Sequence, residues 1–563
     1  MNAGSMNQTH YQYWPKRLPK SFAYPQTPLY DFIETTARRY PDHPGIIYYG
    51  RRISFSELWT DCLRLAGALA SLGTTKGDRV ALYMQNSPHF VIGFLGGIRA
   101  GAVVVPMNPM LVAEEFRYVL KDSGAKVVIT TTDLYPRIAE VCREMGVSDV
   151  IVGSYKDYLP ERPELPVPEF MLQAPARIEG TRDWTTTLAT APGPPTVTFT
   201  RDDLCVLPYT AGSTGLPKGC MHTHASVTAN VIGSMTWKGI DPTCVQLAAL
   251  PYFHVTGLIH CFLASIAAGT PAVLLTRWDR QAALAAIEKY HVSHWTNITT
   301  MLLDLLAAPD IGEHDLRSMS YVGGGGAPLP PALSEKLTEM TGLTYLEGYG
   351  LTETISQTHS NPPDRPKLGC IGIPVFGVDA RIVDISTLEE LPPGEQGEIV
   401  INGPSILKGY WGKPEDTKEA FLELDNKRFL RTGDIGRMDE DGYFYVSDRL
   451  KRMINAAGFK VWPAEIESVL YRHPAVLEVC VIGVPDAERV ENVKALVVLK
   501  PETIGKVTAD DIIKWSKGQM SAYKYPRLIE IVESLPKTGT GKIPWRELQE
   551  QERAKYQQKT ASK

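Results

Sequence analysis

The sequence predicts an α/β protein in two parts: a large N-terminal domain of mixed, largely parallel sheets with flanking helices, and a small α+β C-terminal domain. Three observations predict it. The chain has 563 residues, more than one hydrophobic core serves comfortably. Strand-like and helix-like segments alternate through its N-terminal part. Near Lys451 the pattern changes to a compact run of strands and short helices, so the domains are read as 1–450 and 451–563.

Each element has a local reason. SFSELWTDCLRLAGALASLG (54–73) spaces Leu and Ala helically and stops at Gly. RVALYM (79–84) and AKVVITT (125–131) are short apolar runs suited to buried strands. PHFVIGFLGGIRAGAVVVPMN (88–108) reads as helix, then strand. Residues 154–200 are rich in Pro and Thr with weak periodicity, and read as a long surface connection with some strand content. GLIHCFLASIAAGTPAVLLT (257–276) is the longest apolar passage. His260, Gly269 and Pro271 interrupt it, which favours a buried helix, a turn and a strand over a membrane span. VDARIVD and GEIVIN (378–402) flank Leu-Pro-Pro-Gly-Glu as a β-hairpin would. GYFYVSDRLKRMI (442–454) carries a strand into a charged turn. A helix (463–473), two strands (476–484 and 493–500) and a helix (509–520) follow.

Composition excludes several classes. With 44% hydrophobic and 21% charged residues the chain is ordinary globular material. A net charge of -5 and pI near 6.2 give no basic face for nucleic acid or an anionic membrane. The eight cysteines form no CxxC pair and sit among apolar neighbours, as buried thiols of a reducing compartment do. No charged region followed by an apolar run opens the chain, and its final ASK is not a peroxisomal tripeptide; a cytoplasmic location is expected.

The stretch YTAGSTGLPKG (209–219) has the chemistry of a phosphate cradle. Glycines let backbone N–H groups approach an anion, hydroxyls add donors, and Lys218 adds charge. A Walker A loop fails here, since Pro217 and Gly219 stand where that motif needs Gly and Ser or Thr.

Further along come YGLTE (349–353), RTGD (431–434), DRLKRMINAAGFKVWPAEIE (448–467) and PKTGTGK (536–542). In this order, over about residues 30–550, the set resembles the adenylate-forming superfamily of acyl-CoA synthetases, aryl-CoA ligases, luciferases and adenylation domains. HTH (222–224) and GFKVWPAEIE are closest in style to bacterial medium- and long-chain fatty acyl-CoA synthetases. The resemblance implies ATP, Mg²⁺ and coenzyme A, with a carboxylate attacking the α-phosphate. It implies that Thr210, Gly212, Ser213, Thr214, Gly215 and Lys218 hold the β- and γ-phosphates, with Ala211 standing where a hydroxyl is more usual. Thr352 would contact the α-phosphate, and Glu353 with Thr214 would hold Mg²⁺. Asp434 would accept ribose hydroxyls with Arg449 nearby, Tyr349 would stack on adenine, and GGGGA (323–327), including Gly325 and Ala327, would line the adenine and acyl pocket. His254 in PYFHVTG would stand at the acyl channel, and Lys542 would be the catalytic lysine of adenylation, with Lys537 a weaker candidate. Lys451 would be the hinge of a mobile C-terminal domain that presents first Lys542 and then Gly458 and Phe459, which help form the pantetheine tunnel.

Residues 226–262 and 295–327, including Trp237, Phe253, Trp295 and Met301, are expected to line the acyl site. GGGGA and PYFHVTG carry no Arg or Lys to pair a second carboxylate, which favours a mainly apolar, medium- or long-chain fatty acid. An aryl acid of the benzoate or 4-coumarate type, a carrier-protein acceptor, and a nucleotide-binding scaffold are the alternatives. The expected partners are the acid, ATP and CoA, with no nucleic acid and no transmembrane segment; the assembly is open, and a homodimer is compatible with it.

Overall fold

The structure, a computed structural model, describes residues 6–173, 178–210, 216–325, 329, 331–456, 459–486, 490–521, 524–537 and 543–561. The chain divides into two compact units. The first comprises Met1–Ala380, Ile401–Leu430 and Asp441–Phe444; the second comprises Arg381–Val400, Arg431–Glu440 and Tyr445–Lys563.

The first unit is built on two large sheets. One has seven strands, in the order His222–Thr223, Leu204–Val206, Val103–Met107, Arg79–Tyr83, Val127–Thr131, Asp149–Gly153, Arg182–Asp183. All its pairs are parallel except the first. Its central strands are apolar on both faces because helices such as Phe55–Ser71 and Pro88–Arg99 cover them. The other sheet has nine strands. Its inner members Tyr321–Gly325, His294–Ile298, Gln246–Ala248, Ala272–Leu274 and Pro44–Tyr48 are parallel. Leu346–Leu351 joins them in parallel with Tyr321–Gly325, and antiparallel pairings close both edges, Leu346–Leu351 with Ser356–Ser360 and Ser356–Ser360 with Ile373–Pro374 at one and Pro44–Tyr48 with Arg51–Ser54 at the other.

The α/β reading is thus borne out, with mixed, mostly parallel sheets in the larger part. Ser54 caps the first long helix through a reciprocal bond pair with Glu57. The apolar passage at 257–276 is a buried helix, π-type over Gly257–Leu263 and α-type over Ala264–Ala268, then the strand Ala272–Leu274. No helix among the described residues is long and apolar enough to cross a membrane. Residues 154–200 hold more order than the sequence suggests. The helix Trp184–Ala189 is capped by Asp183, which accepts from Thr186 N at 2.8 Å, and Trp184 is buried. A run of three threonines hid this helix, since it has almost no apolar periodicity.

The second unit has its own core. Val476–Asp486 and Val490–Leu499 form a long antiparallel pair, extended by Ile454–Ala456 and Phe459–Val461 on one side and Leu528–Ile531 on the other. Ile466 and Leu470 of the helix Pro463–Leu470 pack with Val481, Val497 and Ile512. All eight cysteines are buried, and none is in a disulfide.

Candidate active site

The site grows from the antiparallel edge of the nine-stranded sheet, beyond the carboxyl ends of its parallel strands, where α/β sheets bind ligands. Strands Leu346–Leu351 and Ser356–Ser360 are joined by the 3₁₀ turn Thr352–Thr354. Thr354 Oγ1 accepts from Leu351 N at 2.9 Å and donates to Ser356 O at 2.7 Å. Ile355 (φ 47°) and Ser356 (φ 112°) lie in the left-handed region, a cost of about 1–3 kcal/mol each for side chains of this kind. Such strain persists because the surroundings over-determine the turn. His222 Nε2 donates to Thr352 O at 2.8 Å, Asn230 Nδ2 donates to Thr354 O and Gln357 O at 3.2 and 3.0 Å, and Leu407 N donates to Glu353 O at 2.8 Å. Burial pushes the His222 pKa down to about 4, so the ring is neutral and its Nε2 carries the proton given to the carbonyl.

Glu353 is aimed from this turn. Its Oε1 accepts from the Tyr410 hydroxyl at 3.0 Å. Burial, with the charge of Glu353, raises the Tyr410 pKa, so the phenol stays a donor. Lys218 Nζ lies 5.2 Å over the Tyr410 ring and is ion-paired with Asp416. Lys218 and Thr210 are directly paired across a short antiparallel ladder. That ladder fixes the two ends of the sequence-predicted phosphate loop; Ala211, Gly212, Ser213, Thr214 and Gly215 themselves lie outside the described residues.

Gly323, Gly324 and Gly325 end a parallel strand against His294–Ile298 and Leu346–Leu351. A Cβ at Gly324 would sit 1.8 Å from Asn297 O, and one at Gly325 2.4 Å from Gly348 O. The glycines are therefore demanded by close strand packing as well as by any ligand, which the pocket reading alone did not foresee. Ala327 lies outside the described residues. Tyr349 meets His359 edge-on at 5.8 Å between ring centroids. His254 is exposed, 4.5 Å from the Phe253 ring, and its backbone opens the following helix by accepting from Leu258 N. Trp295 stacks on Trp278 at 5.6 Å, Trp237 donates from Nε1 to Asn361 O at 3.0 Å, and Met301 is buried.

Sequence reasoning missed a polar stripe. In the helix His224–Lys238, Ser226, Asn230, Ser234 and Lys238 recur every fourth residue, on one face, and all are buried. Asn230 holds the turn. Ser234 Oγ meets His260 Nδ1 at 2.6 Å, and His260 Nε2 meets Ser356 Oγ at 3.0 Å. Lys238 Nζ donates to Thr296 Oγ1 at 2.9 Å, and burial brings its pKa down to about 7. The four-residue spacing of polar groups in an otherwise apolar helix was the available signal.

In the second unit, Asp434 is buried and accepts from Arg449 Nε at 2.6 Å; the guanidinium also donates to Thr432 O at 3.4 Å. The two residues expected at the ribose are therefore each other's partners. Asp448 accepts from the backbone N–H groups of Arg449 and Ala464, both at 2.7 Å. Arg452 pairs with Glu467 at 2.5 Å, and between these anchors lies the short 3₁₀ turn Leu450–Arg452 that carries Lys451. Phe459 opens the strand Phe459–Val461. Gly458 and Lys542 lie outside the described residues; Lys537 is ion-paired with Glu478 at 2.6 Å.

Comparison with known proteins gives a consistent result. Residues 33–411 match the AMP-binding enzyme family, and residues 465–542 match the AMP-binding enzyme C-terminal domain. A long-chain-fatty-acid–CoA ligase of Bacillus subtilis (strain 168) is 35% identical over 552 residues, spanning 96% of this chain and 97% of the relative. A feruloyl-CoA synthase of an Amycolatopsis species is also 35% identical, over 90% of this chain and 95% of its own. Among solved structures, the anthranilate CoA ligase AuaEII in complex with anthranoyl-AMP superposes with a TM-score of 0.82 at 27% identity, covering 96% of this chain and 99% of that one.

Proposed function

The chain belongs to the AMP-binding enzyme family and is an adenylate-forming acyl-CoA ligase, and we propose that its substrate is a mainly apolar carboxylic acid of the medium- or long-chain fatty class. The observation that carries the adenylation reading is the braced Thr352–Glu353 turn beyond the ends of the parallel strands, linked to Lys218 through Tyr410. Relatives named for long-chain fatty acids support the acyl class; those named for feruloyl and anthranilate keep the aryl reading as the alternative.

A carboxylate is a poor electrophile because its charge repels a thiolate and its oxygen is a bad leaving group. Transfer to AMP removes the charge and supplies the leaving group. Two anions must first meet, so fixed donors and cations are the tools required. Thr352 presents its hydroxyl from a turn that does not have to reorganise. Lys218 brings positive charge to the end of the loop. Glu353 is a single hard carboxylate, and no cluster of three or more His, Cys, Asp or Glu that could hold a metal occurs among the described residues. That donor set fits Mg²⁺ held mostly by substrate phosphates and water, with Glu353 as protein ligand and Thr214 as a further oxygen. Bound there, Mg²⁺ would screen the phosphate charges. Tyr410 orients the Glu353 carboxylate by donating to one of its oxygens.

Lys542 as the adenylating lysine, Lys451 as hinge, His254 at the acyl channel, Tyr349 at adenine, Asp434 and Arg449 at the ribose, Gly458 and Phe459 at pantetheine, a cytoplasmic location and a homodimer complete the proposal. The test is AMP release with ATP, Mg²⁺ and CoA over acids from acetate to palmitate, with benzoate and 4-coumarate. A CoA-dependent optimum at about six carbons or longer supports the fatty reading. An aryl optimum replaces the substrate and keeps the chemistry.

A further inference from the structure

The chain that carries Lys218 is laced, within the first unit, to the segment 408–417. Trp411 N donates to Gly219 O at 2.8 Å, Lys408 N donates to Met221 O at 2.8 Å, and Met221 N donates to Gly409 O at 3.0 Å. Cys220 and Tyr410 form an antiparallel bridge between these bonds. On the other side the Tyr118 hydroxyl donates to Pro217 O at 2.9 Å. The segment is also closed on itself. Tyr410 N donates to Thr417 Oγ1 at 2.9 Å, and Thr417 Oγ1 donates to Lys413 O at 2.8 Å. A Cβ at Gly409 would lie 2.8 Å from the Thr417 side chain, so the closure is tight. Asp416 precedes Thr417 in the short helix Pro414–Glu419. The backbones that carry Lys218 and Asp416 are thus one braced assembly, and the fold itself sets their ion pair.

Two carboxylates and one ammonium meet around Tyr410. Lys218 Nζ is paired with Asp416 and stands 5.2 Å from the Tyr410 ring centre, and the Tyr410 hydroxyl donates to Glu353 at 3.0 Å. Glu353 has a task in the proposed chemistry, as an oxygen ligand to Mg²⁺. Asp416 has none there, and it sets a second negative charge beside a lysine read as a phosphate contact. Lys413, on the same segment, faces Asp122 at 3.6 Å and so already has an anion of its own. The side chains of Lys218 and Asp416 are 19% and 34% exposed, so water reaches the pair and its members can exchange partners. A phosphate that takes the ammonium must break this pair or share it, and that cost enters every binding event.

We propose that Asp416 is a positioning residue that acts through Lys218: it aims the ammonium and competes with the phosphates for it, so that pyrophosphate is held weakly enough to leave. The inference rests on the acyl-CoA ligase reading, with Lys218 at the β- and γ-phosphates, and deepens it. Its sign is distinctive. An aspartate kept only to stabilise the segment 408–417 would, when removed, weaken phosphate binding or leave it unchanged. A competitor for Lys218 would, when removed, strengthen it.

The test is equilibrium dialysis of pyrophosphate and of ATP, each with Mg²⁺, against the full chain. It compares the wild type with Asp416→Asn, Asp416→Glu, Lys218→Met and the double variant Lys218→Met/Asp416→Asn. Asp416→Asn should lower the Kd of pyrophosphate by about threefold or more, and that of ATP in the same direction. Pyrophosphate should inhibit acid-dependent AMP formation more strongly by the same factor. Asp416→Glu, which keeps the charge, should stay within about twofold of the wild type. The gain from Asp416→Asn should shrink by about twofold or more when Lys218 is replaced by Met, because the competition then has no object. An equal gain in both backgrounds would mean that Asp416 repels phosphate without acting through Lys218, and would overturn the inference. So would a Kd that rises or does not change in Asp416→Asn, while the ligase reading stands on the acid-dependent AMP formed by the wild type. If Asp416→Asn lowers the melting temperature, Asp416→Ser is the second variant and is judged by the same Kd. Absence of acid-dependent AMP formation by the wild type overturns the ligase reading and the inference with it.

Discussion

The two large sheets of the first unit differ in what they bury. The seven-stranded sheet buries Val, Ile, Leu and Ala in strands such as Arg79–Tyr83 and Val103–Met107, with ordinary backbone. The edge of the nine-stranded sheet buries Thr354, Ser356, Gln357, Thr358 and His359, stacks three glycines, and holds two non-glycine residues at positive φ. One sheet is optimised for stability. The other accepts polar burial and strain, and these concentrate within a few residues of Thr352 and Glu353. The difference teaches where to look for function: where the fold departs from its cheapest solution, and where neighbouring groups such as His222 and Asn230 hold that departure in place.

Substitutions in the two sheets should have different consequences. Glu353→Gln should show the largest effect, a loss of about 10²–10³ in the rate of acid-dependent pyrophosphate release with little change in melting temperature. A full-rate variant would remove Glu353 from the site. Gly324→Ala would place a methyl carbon 1.8 Å from Asn297 O, so the strands must part. Denaturant unfolding should report a loss of roughly 3 kcal/mol, and activity should fall with it. His222 sharpens the comparison through pH. Its folded pKa, about 4, is below the unfolded value of 6.5, so the unfolded chain binds more protons between those values. Its contribution is present above pH 6.5 and is lost as pH falls toward 4, by about 3 kcal/mol at most. His222→Gln should flatten the stability–pH slope over that window and lower the turnover rate. An unchanged slope would show that folding does not depress the His222 pKa. Ile129→Val, in the seven-stranded sheet, should show the smallest effect: about 1 kcal/mol of stability and no change in kcat/KM. A kinetic effect there would show that the two sheets are not separable.

How much of this was legible beforehand follows the same division. The strands at 79–84 and 125–131, the helix at 54–73 and the helix-then-strand passage at 88–108 announce themselves through their apolar patterns, and the structure places them within a few residues of those bounds. Thr352, Glu353 and Lys218 were legible through their motifs. Their bracing was not, because His222, Asn230 and Leu407 lie 50 or more residues away from the turn in sequence, and no local pattern couples them. The stripe Ser226–Asn230–Ser234–Lys238 was visible as a spacing, but only burial gives it meaning. The triple glycine was read as room for a ligand; contacts with Asn297 and Gly348 demand it for strand packing as well. Trp184 and its helix escaped because a threonine run carries no hydrophobic period.

In an adenylate-forming ligase the acid is activated by adenylation before the thiol enters. Isotope exchange between pyrophosphate and ATP, measured with acid present and CoA absent, tests it most directly. Label is expected to enter ATP only when the acid is supplied, at a rate that does not need CoA and that Glu353→Gln suppresses. Exchange that requires CoA, or that proceeds without acid, would contradict it.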